Sequence, residues 1–331
     1  MSSMKHLPVL PFLLALYSIT SAADPVPPFD GSIERLDPAL DQLIAPSVEI
    51  EALASGFNWS EGPVWYKGGI VFSDVPENTA YLWKEGQKNA SIFLKPSGAT
   101  TPVGGQGSNG LAIDAQGNLI LCQHGDRRVA RLESDGKFTT LAGRYGDHLL
   151  NSPNDLAIAK SGDIFFTDPP YGLKDKTSRE IAENGVYHLK KDGTLTMIVK
   201  DLTFPNGIAL SPDEKTLFVA VSDPAATRVM AYDLNSDGSA ENARVFFDAQ
   251  PLKSTGRKGG CDGLKIDQQG NVWTTGPGGV IVLSKEGKHL GTILTGQATA
   301  NCAWGDDGST LYITADMHLV RVKTLTKGTG F

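Results

Sequence analysis

Six polar residues recur along the chain at intervals of 39 to 56 residues, each at the start of a short apolar segment. They are Glu61, Asn109, Asn154, Asn206, Asp262 and Asn301. Every one of these side chains carries an oxygen atom, and carboxylate and amide oxygens suit hard cations such as calcium. Because Glu61 and Asp262 together offset the charge of a divalent cation, the set predicts a cation site with Asn154 and Asn206 as neutral donors.

The same residues also have a purely structural interpretation. Asn-Gly and Asp-Gly pairs form tight turns, so a repeat could retain them for backbone reasons alone. Six polar residues in register, two of them acidic, favour a functional site over this alternative. For Asn109 and Asn301, hydrogen bonding along the axis is an equally good interpretation.

The apolar segments after the six residues predict the fold that brings them together. In residues 206–220, for example, two apolar runs flank the turn sequence Ser211-Pro212-Asp213, and the other five repeats follow the same plan. Repeats of this length, built from strands and turns, are typical of β-propellers with one blade per repeat. The sequence therefore predicts an all-β, six-bladed propeller whose polar residues form a ring at one mouth of the central channel.

The ends of the chain predict how the propeller closes. The last repeat contains only three strands, and the alternating segment from Val48 to Leu53 can supply the fourth. An N-terminal strand would then close the last blade, which removes exposed sheet edges. We assign the propeller domain to residues 47–331.

The loops after the second strand of each repeat should lie on the same face as the ring. They include His124, which could transfer protons, bind a hydroxyl group or only brace its loop. They also include Tyr171, at the start of a long segment, residues 171–183, that could cover the mouth as a lid. With Asn109 and Asn154 of the ring, His124 and Tyr171 are the candidate substrate-binding residues.

The N-terminus has the pattern of a secretory signal. A short basic start at Lys5 and His6 precedes an apolar run of 11 residues and the small residues Ser21-Ala22-Ala23. The run is too short to span a bilayer, although a buried N-terminal strand is an alternative. We expect a signal peptide over residues 1–23, an extended leader over 24–46 with one helical turn at 38–41, and a periplasmic or secreted protein with no membrane association after cleavage.

Composition narrows the choice of partners. The chain of 331 residues has 37 acidic and 30 basic residues, a net charge of −7. An acidic chain without basic clusters is not expected to bind nucleic acid. Three cysteines, at 122, 261 and 302, show no metal-binding spacing, so we interpret them as core residues, with one disulfide as an alternative. Nothing in the sequence predicts an oligomeric partner.

Four motifs resemble the signatures of the gluconolactonase / senescence marker protein / luciferin-regenerating enzyme family. They are residues 60–65 (SEGPVW), 151–155 (NSPND), 205–207 (PNG) and 261–264 (CDGL), in the family's order. Residues 168–173 (DPPYGL) are similar to the bacterial gluconolactonase branch. The resemblance covers about residues 47–325. It departs from the animal members at Ser152, where they have an arginine, so their sugar contacts do not carry over.

The resemblance implies a six-bladed propeller that holds a divalent cation, usually calcium, and hydrolyses lactones. The family's metal ligands correspond to Glu61, Asn154, Asn206 and Asp262, and its catalytic acid/base corresponds to Asp262. Mg²⁺, Mn²⁺ or Zn²⁺ are alternatives to calcium, although zinc is unexpected at a site without His or Cys.

We therefore expect a calcium-dependent hydrolase of small sugar lactones. The cation would polarise the lactone carbonyl while Asp262 positions or deprotonates the attacking water. A related ester or phosphotriester hydrolase on the same scaffold is one alternative. A non-enzymatic binding propeller stabilised by calcium is the other, since fold alone does not establish catalysis.

Overall fold

The first described elements precede the repeats. A computed structural model describes residues 29–101 and 105–331. Strand β1 (Ser32–Arg35) is followed by a 3-10 helix (Pro38–Gln42) and by strand β2 (Glu51–Ser55). The expected signal peptide and the first residues of the expected leader, 24–28, lie outside the described residues.

Six antiparallel sheets follow, one for each repeat of the sequence. Their strands are, in the first three blades, β3 (Ser60–Tyr66), β4 (Gly69–Asp74), β5 (Thr79–Trp83) and β6 (Ser91–Leu94); β7 (Ser108–Ile113), β8 (Leu119–Gln123), β9 (Arg128–Leu132) and β10 (Phe138–Ala142); then, after a small hairpin of β11 (Arg144–Tyr145) and β12 (His148–Leu149), β13 (Leu156–Ile158), β14 (Ile164–Asp168), β15 (Gly185–Leu189) and β16 (Leu195–Val199). The last three contain β17 (Pro205–Leu210), β18 (Thr216–Val221), β19 (Arg228–Leu234) and β20 (Ala240–Asp248); β21 (Leu264–Ile266), β22 (Val272–Gly276), β23 (Gly279–Leu283) and β24 (His289–Leu294); and β25 (Thr299–Gly305), β26 (Thr310–Ala315) and β27 (His318–Lys323).

Helices are short and lie between strands. A second 3-10 helix (Lys176–Ser178) lies in the segment after β14, and α1 (Gln250–Lys253) connects the fourth and fifth blades. Over residues 29–101 and 105–331, no helix is long and apolar enough to cross a membrane.

The N-terminal strands complete two of the blades. The sixth blade has the order β2-β27-β26-β25, in which Glu51 pairs with Arg321 and also accepts a hydrogen bond from its guanidinium at 2.8 Å. Strand β1 adds to the outer edge of the fifth blade beside β24. The predicted six-bladed propeller with a last blade closed by an N-terminal strand is confirmed, and the closing strand spans 51–55 rather than 48–53.

The core is divided among the six interfaces between blades. Successive side chains of a strand point to opposite faces, so the second strand of each blade packs against both neighbours. In β18, Leu217 and Val219 pack toward the third blade, while Phe218 and Ala220 pack toward the fifth. The uninterrupted apolar character of these strands follows from burial on both faces.

The three cysteines lie in different interfaces. Cys122 packs between the second and third blades, Cys261 between the fourth and fifth, and Cys302 between the fifth and sixth. All three are buried free thiols. This agrees with their interpretation as core residues and excludes the alternative of a disulfide.

Glycines after the ring residues allow the inner strands to meet. A β-carbon added to Gly207 would lie 2.2 Å from the backbone oxygen of Asp262, and one added to Gly62 would lie 2.0 Å from that of Asn109. The Gly207 N–H donates to the same Asp262 oxygen at 3.1 Å. The Asn-Gly and Asp-Gly pairs therefore serve contact between neighbouring blades, not tight hairpin turns.

We predict that Gly207→Ala destabilises the protein by roughly 1–3 kcal/mol, the usual cost of overpacking a rigid contact. Thermal or denaturant unfolding measures the change. Gly143→Ala is the matched control, because an added β-carbon there meets its nearest neighbour at an ordinary 3.4 Å. Equal stability of the two variants would contradict the role of Gly207 in blade contact.

Candidate active site

A cavity of about 380 Å³, lined mainly by residues with polar side chains, opens at one mouth of the channel. Its walls come from the inner strands, from the loops that enter these strands and from loops after second strands. The lining residues are Trp59, Glu61, Gln106, Asn109, His124, Asn154, Tyr171, Phe204, Asn206, Ser222, Pro224 and Asp262.

Five of the six predicted ring residues line this cavity. Asn301, the sixth, lies beside it and donates from Nδ2 to Glu61 Oε2 at 3.4 Å. Glu61, Asn109, Asn154 and Asn301 are each at most 5 % exposed. The structure thus brings together the residues that the repeat predicts.

The three central amides form a chain of hydrogen bonds across blades two to four. Asn109 Nδ2 donates to Asn154 Oδ1 at 3.0 Å, and Asn154 Nδ2 donates to Asn206 Oδ1 at 2.5 Å. Asn206 Nδ2 donates to the Ser222 hydroxyl at 2.8 Å. Each amide oxygen has two lone pairs, so Asn154 and Asn206 each retain an acceptor site.

The two carboxylates of the cavity are unfavourably placed as charged groups. Burial, together with repulsion from Asp155, raises the pKa of Glu61 to about 7. Burial, followed by repulsion from Glu61 and Asp155, raises the pKa of Asp262 well above its usual value. Within the described residues, the buried Oδ1 of Asp262 has no hydrogen-bond partner. Two buried like charges with an unpaired oxygen create a demand for a positive ligand.

His124 presents one ring nitrogen to the cavity. Its Nδ1 lies 3.1 Å from Gln106 Oε1, an acceptor, so Nδ1 carries the proton and Nε2 carries the lone pair. Burial lowers the pKa of His124 to about 4, which keeps the ring neutral near pH 7. Among residues 29–101 and 105–331, Nε2 finds no partner. His124 is therefore a hydrogen-bond acceptor aimed into the cavity.

Tyr171 and Phe204 form an aromatic wall, with parallel rings 6.2 Å apart. Tyr171 is the residue of the 171–183 segment that lines the cavity. The far end of this segment is tied to the blades, because Glu180 accepts from the Leu149 N–H at 2.8 Å and Ile181 is buried. The segment thus contributes one wall of the mouth.

Five residues of the cavity were not predicted as site residues, although the repeat places the loops of Gln106, Ser222 and Pro224 on the face of the ring. Trp59, Gln106, Phe204, Ser222 and Pro224 line the cavity without belonging to the ring. The Trp59 N–H is held by Asp74 Oδ1 at 3.2 Å, a contact between loops that no repeat encodes. Of these residues, Phe204 is the one that the sequence could most readily have indicated, because it lies two positions before the ring residue Asn206.

Hydroxyl groups at the ends of second strands hold the ring residues in position. Ser73 donates to the Asn109 carbonyl at 2.9 Å, and Thr167 donates to the Asn206 carbonyl at 2.6 Å. Both hydroxyls belong to the preceding blade, so each ring residue is fixed by its neighbour. Ser73 and Thr167 occupy equivalent positions near the end of the second strand of their blades. This recurrence in the sequence could have indicated their role, but it was not predicted.

The donor set fits a hard divalent cation. Within the described residues, no group of three or more His, Cys, Asp or Glu side chains converges as a metal site, so Glu61 and Asp262 depend on amide oxygens to complete a shell. An all-oxygen set with two carboxylates and an unpaired Asp262 oxygen is suited to calcium.

These observations define the class of the protein: a six-bladed propeller with an oxygen-donor site at one mouth of its channel. The sequence model of the SMP-30/Gluconolactonase/LRE-like region matches residues 59–316. The chain belongs to this family, and the family resemblance of its motifs is confirmed.

Lactone-hydrolysing proteins are similar to the chain in sequence and in structure. It is 39% identical over 312 residues to the gluconolactonase of Zymomonas mobilis subsp. mobilis, covering 90% of this chain and 87% of that protein. A lactonase of Staphylococcus aureus is 32% identical over 190 residues, 56% of this chain and 55% of the lactonase. A solved gluconolactonase from Xanthomonas campestris superposes with a TM-score of 0.80 at 32% identity, covering 90% of this chain and 96% of that one.

The carboxylate repulsion predicts a pH-dependent effect of Glu61→Gln on the cation-free protein. The folded-state pKa of Glu61 is raised to about 7, above its value in the unfolded chain. The contribution of Glu61 to the free energy of unfolding is therefore fully favourable below about pH 4.5, and it is lost as the pH rises through 7. We expect Glu61→Gln to raise the melting temperature by a few degrees at pH 8 and to leave it nearly unchanged at pH 5.

Thermal unfolding in excess chelator at both pH values measures this difference. Glu286→Gln is the control, because the Glu286 side chain is 68 % exposed and its charge is solvated. A rise of equal size at pH 5 and pH 8 would attribute the effect to packing instead of charge.

Proposed function

We propose that the protein is a calcium-dependent hydrolase of sugar lactones, with Asp262 as the base. The observation on which this proposal rests is that the carboxylates of Glu61 and Asp262 line the same cavity, and that one oxygen of Asp262 has no partner among the described residues. Similarity to the Zymomonas gluconolactonase and the Staphylococcus lactonase supports lactone hydrolysis as the reaction. The cation, the sugar and the residue roles rest on the chemistry of the cavity.

Glu61, Asn154, Asn206 and Asp262 are the residues that would hold the cation. They offer two negative charges and neutral oxygens, and calcium accepts irregular shells completed by water or substrate oxygens. When bound, the cation would supply Lewis-acid polarisation of the lactone carbonyl and stabilise the oxyanion that develops there.

Asp262 has the properties of a general base. Its Oδ1 is shielded from solvent and unpaired among the described residues, so it can accept a proton from water as the water oxygen attacks the carbonyl carbon. The ring carbon–oxygen bond then breaks, and the leaving oxygen takes the proton back. The products are a carboxylic acid and a free hydroxyl group on one open chain.

The remaining polar atoms favour a hydroxylated substrate. His124 Nε2 and Asn109 Oδ1 are buried acceptors without partners in the described structure, and a substrate hydroxyl can donate to each. Asn154 accepts a hydrogen bond from Asn109 beside these acceptors, and Tyr171 forms a flat wall. A cavity of about 380 Å³ is near the lower limit for small-molecule sites, which suits a single ring.

Hydrolysis of a substrate panel tests the function. The panel contains sugar lactones, an apolar lactone, an aryl ester and a phosphotriester, each assayed before chelation, after it, and after return of single metals. We expect hydroxylated lactones to react fastest, chelation to abolish turnover and calcium to restore it. Preference for the ester or phosphotriester would overturn the substrate class, and calcium binding without turnover of any substrate would indicate a binding propeller.

Two matched substitutions separate cation binding from chemistry. Asp262→Asn retains an oxygen and removes the base, so we expect turnover to fall by roughly 100-fold or more and not to recover in excess calcium. Glu61→Gln removes one ligand charge, so raised calcium should recover part of its loss. Full activity of Asp262→Asn at saturating calcium would make Asp262 only a ligand and point to His124 as the base.

The basic, apolar and small-residue pattern of residues 1–23 supports export to the periplasm or the medium. We expect the mature chain to begin near Ala23 or Asp24. Mass spectrometry of protein from the native host measures its first residue. Recovery of intact protein from Met1, exclusively in the cytoplasm, would contradict export.

A further inference from the structure

Two charged residues depart from the internal repeat. The position after the ring residue is glycine in four blades, but in the third blade it is Asp155. The third position after the ring residue is Lys265 in the fifth blade. The other five blades have apolar side chains there: Val64, Ala112, Ala157, Ala209 and Trp304.

The fold brings these two departures together inside the channel. Lys265 Nζ lies 3.9 Å from Asp155 Oδ2 and 3.5 Å from Asn301 Oδ1. Asp155 is 1 % exposed, and Gly110 of the second blade provides its space, since a β-carbon there would lie 2.6 Å from Asp155 Oδ1. Two positions 110 residues apart therefore form one buried contact.

Asn301 connects this contact to the candidate active site. Its Nδ2 lies 3.3 Å from Asp155 Oδ2 and 3.4 Å from Glu61 Oε2. One amide group thus holds two carboxylates that would otherwise repel each other. Asp155 is therefore connected through Asn301 to Glu61, one of the two carboxylates of the mouth.

Lys265 approaches from the opposite side of the channel. It lines a second cavity of about 540 Å³ at the other mouth, whose walls are mostly apolar. Its side chain is 25 % exposed, whereas the Asp155 carboxylate is sealed between the two cavities. The ammonium group therefore lies on the side of Asp155 that faces the second cavity.

We propose that Asp155 and Lys265 form a compensating charge pair that sets the strength with which the mouth binds its divalent cation. This inference rests on the proposed function, because it assigns the cation to Glu61 and Asp262. Three carboxylates and one ammonium leave a net charge of −2, which one divalent cation neutralises. Lys265 limits the attraction of the site, and Asp155 strengthens it without contacting the cation.

The pair predicts opposite effects of two neutralising substitutions. Lys265→Met removes the positive charge and should tighten calcium binding by about tenfold, because charges in a partly buried channel are weakly screened. Asp155→Asn keeps the shape and hydrogen-bonding atoms but removes a negative charge, so it should weaken binding by a similar factor. The double variant restores the net charge and should return to within a few-fold of the wild-type affinity.

Calcium titration of the purified full-length protein, followed by calorimetry and by the calcium-dependent rise in melting temperature, measures these effects. Lys265→Arg keeps the charge and should change the affinity less than Lys265→Met. Lys285→Met removes a charge from an exposed side chain and should have no effect. If Lys265→Met does not fold, the weakening by Asp155→Asn still tests the pair.

The outcomes separate this inference from the proposed function. Calcium binding and lactone turnover by the wild type, with opposite shifts in the two variants, support the pair. Unchanged affinity in both variants, or weakening in both, overturns the pair and leaves the function intact. Failure of the wild type to bind calcium overturns the proposed function and this inference with it.

Discussion

The close approach of inner strands along the channel is the constraint on which the rest of the structure depends. A β-carbon on Gly62, Gly110, Gly207 or Gly263 would lie 2.0–2.7 Å from backbone atoms of the next blade, so these blades meet backbone to backbone. The polar residue before each glycine is then directed toward the axis. The positions of the ring side chains are well defined because the contacts between blades that build the propeller also fix the ring.

Holding polar side chains at the axis in this way has an electrostatic cost. Inward-directed polar residues lose their water, and Glu61 and Asp262 must share a small buried space with Asp155. Unpaired buried charge is strongly destabilising, and proteins compensate it by pairing, by protonation or by a bound ion. Here the amides and Lys265 compensate only part of it. Under the proposed function, the remaining negative charge would give the mouth its affinity for a cation, so the cost to folding and the capacity to bind would have the same origin.

Features that the sequence predicts correctly are those encoded within single repeats. The period, the alternation of strands and the polar residue before each inner strand define the six blades and the ring, and the incomplete last repeat predicts the closing strand β2. Contacts between distant residues could not be predicted in this way. Strand β1, the Trp59–Asp74 contact and the direction of the amide chain from Asn109 to Asn206 all depend on which loops and edges meet after folding. The glycines were visible as a pattern, but their role in blade contact required the structure.

The repeat itself separates assembly from function. A blade needs a small residue directly after the ring residue, where neighbouring inner strands meet, and an apolar residue two positions further along. At each of these positions five of the six blades have such a residue, because every blade packs against its neighbours in the same way. Charge at such positions does not help a blade to pack, so it must serve something that the blades do together. Glu61 and Asp262 replace the amide found in the other four repeats, Asp155 replaces a glycine, and Lys265 replaces an apolar residue. All four charges converge on one stretch of the channel, where the internal symmetry of the propeller gives way to the asymmetry that binding and catalysis require.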